Sequence, residues 1–165
     1  MVADATAGNG RDTLMLARQV GPWGRVYAFD IQELALQRTR ELLVQEGVAG
    51  RVYLILNGHE HMSRHIKVPL AAVMFNLGYL PGGDQGVITG ADTTVAGIRE
   101  ALSLLKPGGL VTIVIYTGHR GAAEEKEAVL RYCRRLDQKQ YTVMHVNFIN
   151  QVRCPPELVA IRSRP

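Results

Sequence analysis

The stretch Asp4-Ala5-Thr6-Ala7-Gly8-Asn9-Gly10-Arg11-Asp12-Thr13 decides the fold. It continues an apolar, β-branched run that opens at Val2, and it leads into a segment of helical character that begins near Arg11. Gly8 and Gly10 permit a tight turn and a close backbone approach, and a helix starting there directs its unpaired N–H groups at a carboxylate or phosphate. Strand, glycine turn and helix in that order form the first unit of an open α/β sheet. In such a sheet the ligand lies beyond the carboxyl ends of the strands, near the topological switch.

Outward from that unit, strand-like and helix-like segments alternate to the end of the chain. Strand-like runs cover Val2 to Thr6, Arg25 to Ile31, Arg51 to Asn57, Ala71 to Leu77, Leu110 to Tyr116, Tyr141 to Ile149 and Leu158 to Ile161. Ala35, Thr39, Leu42 and Leu43 share one helix face, as do Val95, Ile98, Leu102 and Leu105. A further helix spans Ala122 to Leu136, with Val129, Tyr132, Cys133 and Leu136 on one stripe. Asp92 is placed to cap the helix after it, and Lys106-Pro107-Gly108-Gly109 to end that helix before the next strand. Alternation of this kind requires right-handed crossovers and a parallel sheet covered on both faces. The last two runs are joined only by Asn150 to Glu157, too short for a crossover helix, so they should pair antiparallel. The expected architecture is a doubly wound, seven-stranded, mostly parallel α/β sheet with an antiparallel final hairpin, in a single domain over residues 1–165.

Composition excludes several classes. Apolar residues make up 47% of the 165 and charged residues 21%, which is ordinary globular usage and argues against disorder and fibrous repeats. No apolar run approaches the roughly 18 to 20 residues of a membrane span, and no basic, then apolar, leader follows Met1. Cys133 and Cys154 could form one bridge at most, which a core of this size does not need, and no zinc-ligand spacing occurs. A reducing, cytoplasmic setting is expected, with no membrane and no metal. The net charge of +4 is spread along the chain and permits an acidic partner such as RNA without demonstrating one.

Two neighbours of the glycine turn narrow the ligand. The second strand-like run ends Ala28-Phe29-Asp30, and Asp30 stands at the distance from Gly10 at which a carboxylate accepts both hydroxyls of a ribose; a cap for the next helix is its structural alternative. Asp4, beside the turn, would repel a pyrophosphate but attract the ammonium group of a methionine moiety. Thr13 also stands where the dinucleotide fingerprint has its third glycine. Both features favour S-adenosylmethionine over NAD. The third run exits as Asn57-Gly58-His59-Glu60, a loop that can flank an adenine, with His59 stacking or hydrogen-bonding.

The fourth run exits as Phe75-Asn76-Leu77-Gly78-Tyr79-Leu80-Pro81-Gly82-Gly83-Asp84, next to the first strand. An Asn oxygen and a following backbone carbonyl there would accept the N–H protons of an amine and aim its lone pair, while an aromatic ring excludes water. This block resembles the Asn-Pro-Pro-Tyr signature of amino-methyltransferases with Leu-Gly in place of Pro-Pro, so the stiff proline turn is missing. Asp84 is the nearest acceptor for an amine proton, or a solvated acid in a turn. Tyr116-Thr117-Gly118-His119-Arg120 and Asn150-Gln151 would face the same edge and shape the substrate pocket, with Arg120, Lys126, Arg11 and Arg64 as candidate phosphate contacts.

Taken with Ala28 to Gln32, Tyr116 with Gly118-His119, Glu124 to Lys126, and Asn150-Gln151 with Pro155-Pro156, these blocks resemble the bacterial rRNA methylase family of the YtqB type over essentially the whole chain. The resemblance implies a class I, S-adenosylmethionine-dependent RNA methyltransferase, acting as a homodimer. The implied substrate is 5-aminomethyl-2-thiouridine at the wobble position of the tRNA anticodon. By motif match it implies cofactor contacts at Asn9, Asp12, Asp30, Gln32, Gly58 and His59, and it puts Asn76, Tyr79 and Asp84 where the uridine is held. Family members carry a further helix ahead of the first strand, whereas this chain starts at that strand. Methylation of rRNA or of a small amine, and a non-catalytic RNA-binding module of the same fold, are the competing expectations.

Overall fold

The computed structural model describes residues 1–82, 86, 88–118, 121–153 and 155–165. In chain order its elements are β1 Val2–Asp4, α1 Arg11–Gln19, β2 Val26–Asp30, α2 Glu33–Gln45, β3 Val52–Leu56, α3 Met62–His65, β4 Leu70–Leu77, α4 Ala91–Leu104, β5 Leu105–Ile115, α5 Ala122–Arg134, β6 Tyr141–Val146 and β7 Glu157–Ser163. The strands form one seven-stranded sheet in the order β3-β2-β1-β4-β5-β7-β6. From β3 to β5 every pairing is parallel, while β7 lies antiparallel to both β5 and β6. The expected final hairpin is present. Its second strand is inserted between β5 and β6, because the short link after β6 turns the chain straight back along β5.

The chain order reverses between β1 and β4, so the exits of these two strands open the crevice in which a doubly wound sheet holds its ligand. Below that crevice the larger core joins Phe29, Phe75, Leu77 and Ile113 of the sheet to Met62, Ile98, Ala101, Val129 and Cys133 of α3, α4 and α5. On the other face Leu16 and Ala17 of α1 and Leu43 of α2 pack on Val2 and Val26. Each fully buried Phe contributes about 2 to 3 kcal/mol through the area it removes from water.

Three local expectations are corrected. Gly90, not Asp92, caps α4; Asp92 lies inside the first turn, where its charge favours the helix dipole. Lys106-Pro107-Gly108-Gly109 follows the end of α4 but belongs to β5: Leu105 pairs with Leu70, the register shifts, and pairing resumes at Leu110 with Ala72. The Pro-Gly-Gly run is absorbed as an irregularity inside a strand. β6 stops at Val146 rather than Ile149. The short α3 and the 3-10 turns Ala49–Arg51 and His59–His61 carry no periodic signal in the sequence.

Candidate cofactor and substrate site

A cavity of about 820 Å³ opens at the carboxyl ends of β1, β2 and β4. Of the residues singled out in the sequence, Gly8, Asn9, Asp12, Asp30, Gln32, Gly58, His59, Asn76, Gly78 and Tyr79 line it together. Asp4, Gly10, Asn150 and Gln151 do not line it. Asp84, His119 and Arg120 lie outside the described residues.

The glycine turn is fixed by two carboxylates with different tasks. Asp30 receives the Gly8 N–H on Oδ2 and the Gln32 N–H on Oδ1, both at 2.9 Å. It thereby ties the first turn to the start of α2, and each oxygen keeps lone-pair capacity for a vicinal diol. Asp4 is fully buried behind the turn, where the Thr13 hydroxyl donates to Oδ2 at 2.6 Å and the Thr6 N–H to Oδ1 at 3.1 Å. Burial raises its carboxyl to about 6 against the pull of those two bonds. Through these bonds Asp4 and Thr13 lock α1 to β1, with Asp4 set behind the cavity wall rather than on it. Gly10 is likewise internal. At φ 81° it starts α1, and a Cβ there would meet Thr39 Cα at 2.9 Å, so glycine is what lets α2 close on the turn.

Charge nevertheless favours a cation. Among the described residues that line the cavity, Asp12, Asp30 and Glu60 stand against Arg11 alone. A pyrophosphate would meet net repulsion, whereas a nucleoside bearing a sulfonium and an ammonium group meets attraction and finds a diol acceptor in Asp30. The residues present fit S-adenosylmethionine.

Asn76, at the end of β4, is held on two sides. Its backbone N–H donates to Thr6 Oγ1 at 2.7 Å, and its side-chain Nδ2 donates to Asp12 Oδ2 at 2.7 Å. A carboxylate only accepts, so this bond sets the amide orientation and leaves Asn76 Oδ1 as the acceptor of the pair. Thr6 was not singled out from the sequence, although it stands within the decisive stretch. Neither was Arg38, whose guanidinium donates to Asn9 Oδ1 at 3.2 Å and to the Gly82 carbonyl at 3.1 Å. Asn9 Nδ2 also donates to the Pro81 carbonyl at 3.2 Å. The segment after β4 is thus strapped across the glycine turn, with Leu80 buried beneath it.

His59 is 8% exposed, and its ring meets Phe75 edge-on with centroids 5.4 Å apart. Nδ1 lies 3.1 Å from the Ala5 carbonyl, which only accepts, so Nδ1 carries the proton and Nε2 a bare lone pair. Burial holds the imidazole below its usual range and neutral. That Nε2 is buried without a hydrogen-bond partner among the described residues, and the same edge of the ring packs against Gly97 of α4, where a Cβ would collide with His59 Cδ2. Among the described residues no cluster of metal-ligating side chains occurs, and no helix is long and apolar enough to cross a membrane.

Known proteins share this fold. A Clostridium thermocellum structure described as a "putative rRNA-methylase" superposes with a TM-score of 0.96 at 48% identity, over 98% of this chain and 87% of that one. A Streptococcus mutans structure described as "a putative methyltransferase" in complex with SAH superposes with a TM-score of 0.89 at 42% identity, with the same two coverages. An Arabidopsis thaliana protein named tRNA (mnm(5)s(2)U34)-methyltransferase, chloroplastic, is 38% identical over 93% of this chain, which spans 60% of that relative's length. The family model described as "Putative rRNA methylase" matches residues 26–162, and the chain belongs to that family.

Proposed function

We propose that the chain is an S-adenosylmethionine-dependent RNA methyltransferase, and that its substrate is the aminomethyl nitrogen of 5-aminomethyl-2-thiouridine at the tRNA wobble position. The observation that carries the reading is the Asn76–Asp12 bond on the wall of an acid-lined cavity, beside the diol acceptor Asp30. The Arabidopsis relative's name and the SAH complex of the Streptococcus protein support it.

When bound, the cofactor supplies a methyl group on a positively charged sulfur. Everything else falls to the chain. Asp30 would accept the ribose hydroxyls, and Asp12 would add negative charge to the cavity wall that favours a cationic ligand. Asn76 Oδ1 accepts an N–H of the incoming amine, which orients the nitrogen lone pair without any need for Asn76 to titrate. An alkyl amine has an ordinary pKa of about 10.4, so it must shed a proton before attack. Tyr79 and Tyr116, half exposed at the mouth, provide rings against which a base can stack.

The test is transfer of labelled methyl from S-adenosylmethionine to tRNA that carries the unmethylated aminomethyl nucleoside, read by nucleoside mass analysis. The expected result is one methyl group on that nucleoside and none on rRNA from the same cells. Label in rRNA alone would reassign the substrate, and label in neither, with SAH still bound, would overturn the reading.

A further inference from the structure

Glu125 of α5 is 1% exposed and does not line the cavity, yet it is tied to the segment that carries Asn76 and Tyr79. Thr89 Oγ1 donates to Glu125 Oε2 at 2.9 Å, and Thr94 Oγ1, in the first turns of α4, donates to Oε1 at 2.5 Å. The same Thr89 oxygen accepts the Gly78 N–H at 2.9 Å, and the Thr89 N–H donates back to the Gly78 carbonyl at 2.9 Å. Tyr79 and Ile88 then pair as an isolated antiparallel bridge. The loop after β4 therefore has a closed neck at Gly78 and Thr89, and that neck is bolted through Thr89 to one buried carboxylate.

The need for such a bolt is legible in the backbone. Gly78 sits at φ 149°, and the Leu77-Gly78 pair has none of the stiffness that prolines would give. Rigidity at Gly78, the second of the two residues between Asn76 and Tyr79, has to come from bonds made elsewhere. A carboxylate buried without water is costly unless its oxygens are satisfied, and here both accept a threonine hydroxyl. We propose that Glu125 is a positioning residue for methyl transfer, acting through Thr89 to hold the Gly78 backbone and so to fix Asn76 and Tyr79 against the acceptor. The assignment rests on the methyltransferase reading above.

The test compares Glu125→Gln, Thr89→Val and Thr89→Ser with the wild type in three measurements: SAH affinity, kcat and KM for methyl transfer to tRNA, and hydrogen exchange of the Gly78 and Thr89 amides. In Glu125→Gln and Thr89→Val the expected results are exchange of those two amides about tenfold faster for the loss of one buried hydrogen bond, and kcat lower by roughly tenfold to a hundredfold with KM little moved; SAH affinity should be unchanged in Glu125→Gln, whose site lies off the cavity. Thr89→Ser, which keeps the hydroxyl, should restore both exchange and kcat. Unchanged exchange, faster exchange spread evenly over the sheet, or local loosening with kcat intact would each overturn the proposal. A wild type that transfers no methyl group while exchange behaves as expected would overturn the functional reading and leave the anchoring of the loop standing.

Discussion

Asp4 holds its proton up to about pH 6 in the folded chain, because burial disfavours the charge more than Thr13 and Thr6 favour it. Unfolded, the same carboxyl releases it near pH 3.9. Between those values the folded state binds a proton that the unfolded state has lost. The stability this group gives is complete below about pH 4, declines as the pH rises through 6, and is absent above; the amount at stake is about 3 kcal/mol. An Asn at this position cannot ionise and still accepts from Thr13. Relative to the wild type, Asp4→Asn should therefore gain stability on going from pH 4 to pH 8, measured as unfolding free energy in urea at the two values. Parallel pH profiles for the two proteins would remove Asp4 as the source. The sequence alone put Asp4 against the ligand because it adjoins the glycine turn, and adjacency does not say on which side of a turn a side chain falls. The bond between Asp12 and Asn76 was equally invisible, since it joins residues brought together only by the pairing of β1 with β4.

At the level of elements, regular strands and helices declared themselves because alternation and the helical period are local properties that burial imposes directly. The irregular pieces did not. Pro-Gly-Gly is turn chemistry in most settings, yet here the pairing of Leu105 with Leu70 outweighs it and draws the run into β5. The described residues after β4 are the strongest case, for they are held by Arg38 of α2 and Glu125 of α5, partners that no spacing reveals. Gly78 is bound at Thr89, and Gly82 at Arg38, which contacts the Gly82 carbonyl and, through Asn9, the glycine turn. Residues 78–82, fastened at Gly78 and at Gly82 beside the cavity that Tyr79, Leu80 and Pro81 line, should slow the departure of a ligand held there. Arg38→Ala cuts the outer fastening and touches nothing in the core, so SAH should dissociate several-fold faster in stopped-flow, in keeping with partly exposed charged hydrogen bonds, with the unfolding midpoint little changed. Equal dissociation rates in the two proteins would show that Gly82 is held without Arg38.

Across the whole molecule, the helices cover the sheet unevenly. Over β5 and β7, Val129, Leu130 and Cys133 of α5 pack on Ile113, Val159 and Ile161, and burial pushes the Cys133 thiol up to about 11, which keeps it unreactive. Register places Leu110, Met144 and Val146 on the opposite face, where they are 37%, 55% and 42% exposed among the described residues. β6 is also an edge strand, with one row of backbone groups unpaired. Exposed apolar side chains beside an open edge offer a surface on which copies of a chain can associate. The homodimer implied by the family resemblance would place that face out of water. Sedimentation of the wild type should accordingly show association that increases with concentration. Met144→Lys with Val146→Lys should keep the chain monomeric, and because both side chains already stand in solvent the unfolding free energy should change by no more than about 0.5 kcal/mol. A wild type that sediments as a monomer at every concentration would show that this face is left to solvent or to a different partner.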